Sequence, residues 1–525
     1  MEHAKITVAA TGLSGNMGTA TTWQLLKLDF VGTIRALLLP DDKRTRRFEK
    51  TFREYIKSGK IAVTYGKLQK RENCGDLLDG FVKGADYVLH IAAVIPPLSD
   101  QKPELAVECN EWGTDALVTS IENAVPQPKL VHISTMALYG NRNEKHIWGR
   151  VGDPLTISPY DVYAVTKLRG EFRVLESKIN RFAVIRQTAM LHLNMLADNM
   201  SDGLMFHTAY NAPLEWATAH DSGLLLANIL RRDVKGELGA EFWGQCFNLS
   251  SLKDNQLTGF DVLNDGFKLI GGTAKDFFKP QYNAYRNFHG VWFADGNRLQ
   301  DLFDYHRQTT HDYWREIAET HRYYALAKIV PKKLIAALAI NPLRDNPNAP
   351  KYWADNGDEA RLTAYFGGKK QYEALDVKWE DFPLLVEGKL PDGRPCDLKE
   401  LHTFRPEKLL DIGYDDQKAD SEIDIEDMRS VAAAHGGKLL TETVVKGDVY
   451  TPVEWETQDG ERFWARPFTV LRAGHWYNPV YREFVWDFDR LSKKDRVFAA
   501  SWYDSHETDE DNVYAMDENF NAYLK

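Results

Sequence analysis

The chain has 525 residues, 27% of them charged and 43% apolar, with a formal net charge of −11. That length exceeds one ordinary core and implies at least two domains, in the composition range of a soluble globular protein. The acidic balance excludes nucleic acid as a first-choice partner, and the basic run "KRTRR" (43–47) reads as solvated surface.

Short apolar runs alternate with helical patterns through the first third. Strands are predicted at "KITVAA" (5–10), "TIRALLL" (33–39), "IAVTYG" (61–66), "DYVLHIAA" (86–93), "KLVHIST" (129–135) and "FAVIRQ" (182–187). Such alternation gives parallel βαβ units with right-handed crossovers, and so a doubly wound sheet. The expected architecture is α/β: a Rossmann-type doubly wound parallel sheet, a smaller substrate-binding subdomain, and an α+β C-terminal extension. Its expected parts are 1–310 (with the substrate subdomain mainly 188–300), a helical linker 311–430, and a C-terminal domain 431–525. Within the linker, "DYWREIAETHRYYALAKIV" (312–330) reads as one long helix, and "NPLRDNPNAP" (341–350) reads as a loop. Cys74, Cys109, Cys246 and Cys396 show no pair spacing, which argues against a disulfide framework or a cysteine-rich metal site. With no signal peptide pattern and no apolar run long enough for a bilayer, the expectation is a reduced, cytoplasmic protein without membrane contact.

"ATGLSGNMG" follows the first predicted strand and opens a helix. Gly12, Gly15 and Gly18 serve a tight turn, a close backbone approach to pyrophosphate, and close helix–strand packing. The helix N-terminus offers free N–H groups to an anion, so Thr11, Gly12, Gly15, Asn16, Met17 and Gly18 are candidate dinucleotide contacts. No carboxylate stands directly at the end of the second strand, near Leu39, to hold a ribose 2′-hydroxyl. Lys43 and Arg44 follow and suit a 2′-phosphate, which places NADP slightly ahead of NAD.

"SPYDVYAVTKLRGE" (158–171) sets Tyr163 and Lys167 four apart on one helix face, with Tyr160 seven before the lysine. A phenol has a pKa of about 10. An adjacent ammonium would lower it and make Tyr163 a general acid or base. Pro159 marks a helix start that leaves Tyr160 at a pocket rim, and Arg169 is expected on a solvated face.

Together, "ATGLSGNMG", "DYVLHIAA", "VECNEWGT", "HISTMALYG" and "YAVTK" resemble, in order and spacing, the extended short-chain dehydrogenase/reductase (NAD-dependent epimerase/dehydratase-like) family. The resemblance covers roughly residues 5–300. It implies catalytic roles for Tyr163, Lys167 and Thr135, with Ser134 second to Thr135 and Asn110 supporting the active-site helix. It places Leu39, Leu68, Ala92 and Ala93, with Tyr163 and Lys167, along the cofactor. It places Val94, Ser134, Thr135, Tyr163, Thr188 and Met190 at the substrate. Lys67 stands where the family often has an aspartate near the adenine. The resemblance also implies a homodimer paired through the active-site helix.

Met136 and Ala137 follow Thr135, where sugar 4,6-dehydratases of this family carry Asp-Glu. Thr188 and Ala189 stand where nucleotide-sugar enzymes usually have an asparagine. The expected activity is therefore an NAD(P)-dependent carbonyl reductase or alcohol dehydrogenase acting on a small, apolar or aromatic substrate. The alternatives are a sugar epimerase or isomerase with tightly held NAD, and a non-catalytic dinucleotide-binding scaffold. Residues 436–479 resemble a zinc ribbon that has lost its cysteines, with Thr457, Glu461 and Tyr477 at ligand positions and only His475 left. The expectation there is no metal, and a ribbon held by Trp455, Phe463, Trp464 and Trp476.

Overall fold

A computed structural model describes residues 5–196 and 203–524. Part of the segment expected to supply the substrate pocket, residues 197–202, lies outside them. Seven strands form one parallel sheet: β1 (Ile6–Thr11), β2 (Val31–Leu38), β3 (Ile61–Tyr65), β4 (Tyr87–His90), β5 (Lys129–Thr135), β6 (Phe182–Gln187) and β9 (Gln245–Leu249). Their order is β9-β6-β5-β4-β1-β2-β3, so the winding reverses between β1 and β4, where Thr11 pairs with His90. Ligands of open α/β sheets bind outside the strand ends at such a reversal.

Alternate strand residues enter opposite layers, as the period of two requires. Ala9, Val88 and Leu130 join the core under helices α3 (Arg71–Val82), α4 (Gly113–Asn123) and α5 (Val162–Leu175). Val8, Ala10, Leu89 and Val131 join the other core, under α1 (Asn16–Leu25), α2 (Lys43–Thr51) and α6 (Ala219–Val234). The predicted strands are all present. The fourth stops at His90, three residues short of its predicted end, because Ile91–Ala93 turns along the crevice.

The smaller sheet has the order β10-β8-β7, from β7 (Ala189–Leu191), β8 (Pro213–Thr218) and β10 (Gln256–Thr258). Glu215 on β8 is buried and stapled by N–H groups of Ser251 and Phe293, each at 2.9 Å. The long helix expected at 312–330 breaks in two. The α-helix α7 (Thr310–Thr320) ends at His321, whose backbone leaves the helical region, and a 3₁₀ helix Arg322–Ile329 follows.

Beyond it, α8 (Ile425–Ala434) leads to a three-stranded antiparallel ribbon, β11 (Lys438–Leu439), β12 (Val453–Glu456) and β13 (Arg462–Ala465). Trp455, Phe463 and Trp476 form its buried aromatic face. Trp464 does not belong to that face: it alternates to the outer side and is 62% exposed.

This extension lies along α5. Arg466 donates to the carbonyls of Leu175 (2.7 Å) and Ser177 (2.6 Å), capping the helix end that α5 itself cannot satisfy. Arg169 is not solvated as expected. It donates twice to the Val480 carbonyl, at 2.8 and 3.0 Å, and pairs with Glu111 at 3.2 Å. Trp455, Phe463, Phe468 and Leu471 of the extension share one core with Val174 and Leu175 of α5.

Candidate active site

The phosphate loop is shaped by its glycines. Gly12 has φ +77°, and a Cβ there would stand 2.5 Å from the Ala92 nitrogen. A Cβ on Gly18 would stand 2.2 Å from the Gly12 carbonyl oxygen, so this helix can approach the loop only with glycine. Helix α1 begins after Gly15 with no side-chain cap and no acidic residue in its first turn. Its first N–H groups therefore suit a pyrophosphate.

Thr11 continues into a buried relay. His90 Nδ1 lies 2.8 Å from the Thr11 hydroxyl, and His90 Nε2 lies 2.9 Å from the Thr114 hydroxyl. Thr114 itself donates to the Asn110 carbonyl at 2.7 Å, so it accepts from His90, and the imidazole carries its proton on Nε2. Burial pushes His90 down to about 3, which keeps it neutral.

Asn110 sits in a π-helical turn, Val107–Trp112, just before α4. Its carboxamide accepts from Val94 N–H (2.7 Å) and donates to the Val94 carbonyl (2.9 Å) and the Thr166 hydroxyl (3.1 Å). It thus ties the crevice loop to α5. Gly170 permits the close crossing, since a Cβ there would stand 2.6 Å from the Asn110 carbonyl oxygen.

Helix α5 starts at Val162, capped by the Asp161 carboxylate on Ala164 N–H at 2.9 Å. Tyr160 lies outside it with φ +64°, so it does not share the lysine's helix face. It packs instead on Trp486 and Tyr514 of the extension. Tyr163 lies beside the Thr135 side chain at the end of β5, a neighbour that favours the phenolate. Lys167 is fully buried and donates to the Ile133 carbonyl at 2.6 Å, with His132 Nε2 at 3.5 Å.

The electrostatics reverse the expectation from sequence. Burial pushes the Tyr163 phenol up to about 12, outweighing the Thr135 side chain that lowers it. Burial brings Lys167 down to about 8. Desolvation exceeds the attraction across the pair because the lysine is turned toward a β5 carbonyl.

Val94, Tyr160, Tyr163, Ala189 and Trp216 all pack against one apolar cluster. Trp216 lies on β8 opposite Ala189 of β7. Thr188 points inward, donating to the Glu215 carbonyl and lying 3.4 Å from Met136 sulfur. Ser134 is buried with its hydroxyl unpartnered, and Met190 packs under β1 and α6. Leu39 is exposed at the end of β2, while Leu68 is buried near Gly113. Asp42 is spent on capping α2, accepting from Arg44 N–H at 2.7 Å, and the Lys43 and Arg44 side chains are exposed. His207 is structural: its ring packs against both Trp353 and Tyr365, which stack on each other, with Nε2 2.7 Å from the Asn348 carbonyl oxygen.

The parallel sheet, its reversal between β1 and β4 and the glycine-cradled helix end give the chain a Rossmann-type α/β fold. Residues 8–181, about a third of the chain, match the model of the NAD dependent epimerase/dehydratase family. No curated protein matches the chain. Among solved structures it is similar to UDP-glucuronic acid 4-epimerase from Bacillus cereus in complex with UDP-glucuronic acid and NAD. That match has 18% identity and TM-score 0.45, over 60% of this chain and 100% of that one. It is also similar to DesIV, a dTDP-glucose 4,6-dehydratase from Streptomyces venezuelae with NAD and TYD bound. There the identity is 17% and the TM-score 0.47, over 62% of this chain and 100% of that one.

Proposed function

We propose that the protein is a nicotinamide-dependent oxidoreductase that interconverts an alcohol and a carbonyl on an apolar or aromatic substrate. The observation that carries this reading is the meeting of Thr135 at the end of β5 with Tyr163 and Lys167 of α5, where burial pushes the phenol up and the lysine down. A bound nicotinamide would supply or accept the hydride. The chain's own task is to hold the substrate oxygen between Thr135 and Tyr163 and to move one proton at the phenol oxygen. Lys167, held by the Ile133 carbonyl, sets the field in which that proton moves.

The uncapped first turn of α1 would receive the pyrophosphate, and the Thr11–His90–Thr114 relay fixes the loop behind it. Exposed Lys43 and Arg44, with Asp42 engaged as a cap, favour NADP over NAD. Arg44→Ala is expected to raise KM for NADP several-fold and to leave KM for NAD unchanged. An equal effect on both cofactors would remove the 2′-phosphate assignment.

The test of the whole reading is nicotinamide absorbance during incubation of the full chain with a panel of aromatic ketones, aldehydes and alcohols. Stoichiometric cofactor turnover supports it. A chain that purifies with cofactor retained, and interconverts sugar nucleotides without net consumption, would replace it with the epimerase reading.

A further inference from the structure

Residues 322–344 contain five cations, Arg322, Lys328, Lys332, Lys333 and Arg344, and no carboxylate, in a chain of net charge −11. The same stretch exposes apolar side chains that soluble proteins usually cover. In the 3₁₀ helix Arg322–Ile329, residues three apart eclipse one another, so Tyr323, Leu326 and Ile329 form one line. They are 59%, 67% and 86% exposed. After Pro331 the next helical turn repeats the arrangement. Ile335, Ala336 and Ile340 anchor it in the core, while Leu334 and Leu338, four apart, face outward at 47% and 72%.

A cavity of about 340 Å³ opens beside this stretch, lined by Lys268, His311, Trp314, His321, Tyr324 and Lys328. Asp265 also lines it and pairs with Lys268 at 2.7 Å. Its remaining basic groups and its Trp314 wall suit an anionic head carried on an apolar stem. Among the described residues no helix is long and apolar enough to cross a membrane.

We propose that residues 322–344 form a docking face for an anionic lipid surface. Tyr323, Leu326, Ile329, Leu334 and Leu338 enter the interfacial layer, and Arg322, Lys328 and Lys333 meet the head groups, while Lys332 is held by Asp276 at 2.8 Å. Apolar insertion combined with basic flanks is the pattern of interfacial anchors. Charge selects this occupant over a second copy of the same face, because symmetric pairing would bring like charges together.

The full-length protein is tested by vesicle flotation, with phosphatidylcholine alone and with phosphatidylserine added. Binding is expected only with the anionic lipid, and it should weaken as salt rises. Leu326→Ser/Ile329→Ser and Lys328→Glu/Lys333→Glu alter exposed positions. Each is expected to cut the bound fraction on the order of tenfold while leaving the melting temperature unchanged. Equal binding by the variants, or none by the parent chain, would overturn the proposal. So would a concentration-dependent dimer in size-exclusion chromatography that Leu326→Ser/Ile329→Ser abolishes.

Discussion

Tyr163 and Lys167 were visible as a pair four residues apart, but the sign of their electrostatics was not. Spacing along a helix says that two groups are neighbours and nothing about the water they lose. With the phenol raised to about 12 and the lysine lowered to about 8, burial disfavours charge on both. Tyr163→Phe is expected to reduce turnover by roughly 10²–10⁴-fold, the usual worth of a placed acid or base. Cofactor binding, followed by fluorescence titration, should stay nearly intact. A fully active Tyr163→Phe with a dead Tyr160→Phe would move the role to Tyr160. Asn110→Ala should act differently. It removes the three hydrogen bonds that join Val94 to Thr166, so stability should fall along with activity, as a loss of melting temperature.

At the scale of elements, the glycine loop and strands β1 to β6 were legible because their signals are local: glycine spacing, alternation and short apolar runs. The cover on α5 was not, because its partners lie far along the chain. His475 is 304 positions from Glu171, and Val480 is 311 from Arg169. Glu171 pairs with Arg186 at 2.6 Å, and both side chains are fully buried. His475 Nε2 lies 2.8 Å from the same carboxylate, and Nδ1 meets the Tyr481 hydroxyl, so the neutral ring donates to Glu171 and accepts from Tyr481. Arg186 and His475 hold the Glu171 carboxyl well below the usual carboxylate range. Burial lowers His475 despite Glu171 beside it.

Both shifts act in one direction with pH. A depressed folded pKa means that the unfolded chain takes up protons first, so stability is lost as pH falls. The loss begins near the unfolded imidazole value of about 6.5 and continues below the free glutamate value of about 4.3. Melting temperature should therefore decline from neutral pH downward. His475→Phe should flatten the upper part of that decline, whereas an unchanged slope would clear His475. Glu171→Gln leaves Arg186 buried without its counter-charge and is expected to cost about 3–5 kcal/mol in chemical denaturation.

Over the whole molecule, the extension is a structural part of the Rossmann unit. Its aromatic ribbon completes the core against Val174 and Leu175, and its Trp486 and Tyr514 pack on Tyr160. A chain cut after residue 310 should be insoluble or molten, which near-UV circular dichroism would reveal. The face that the family resemblance assigns to a dimer is occupied by the chain's own Arg466, Val480 and His475. Light scattering should accordingly find no dimer built on α5, and a dimer disrupted by substitutions on α5 would contradict that. The coverage of α5 has a further consequence for mutational tolerance. In a saturation library, a half-exposed helix leaves a rhythm of permissive positions every three or four residues. Helix α5 here touches sheet, π turn and extension at once, so that rhythm should vanish, and nearly every position from 162 to 175 should read as intolerant.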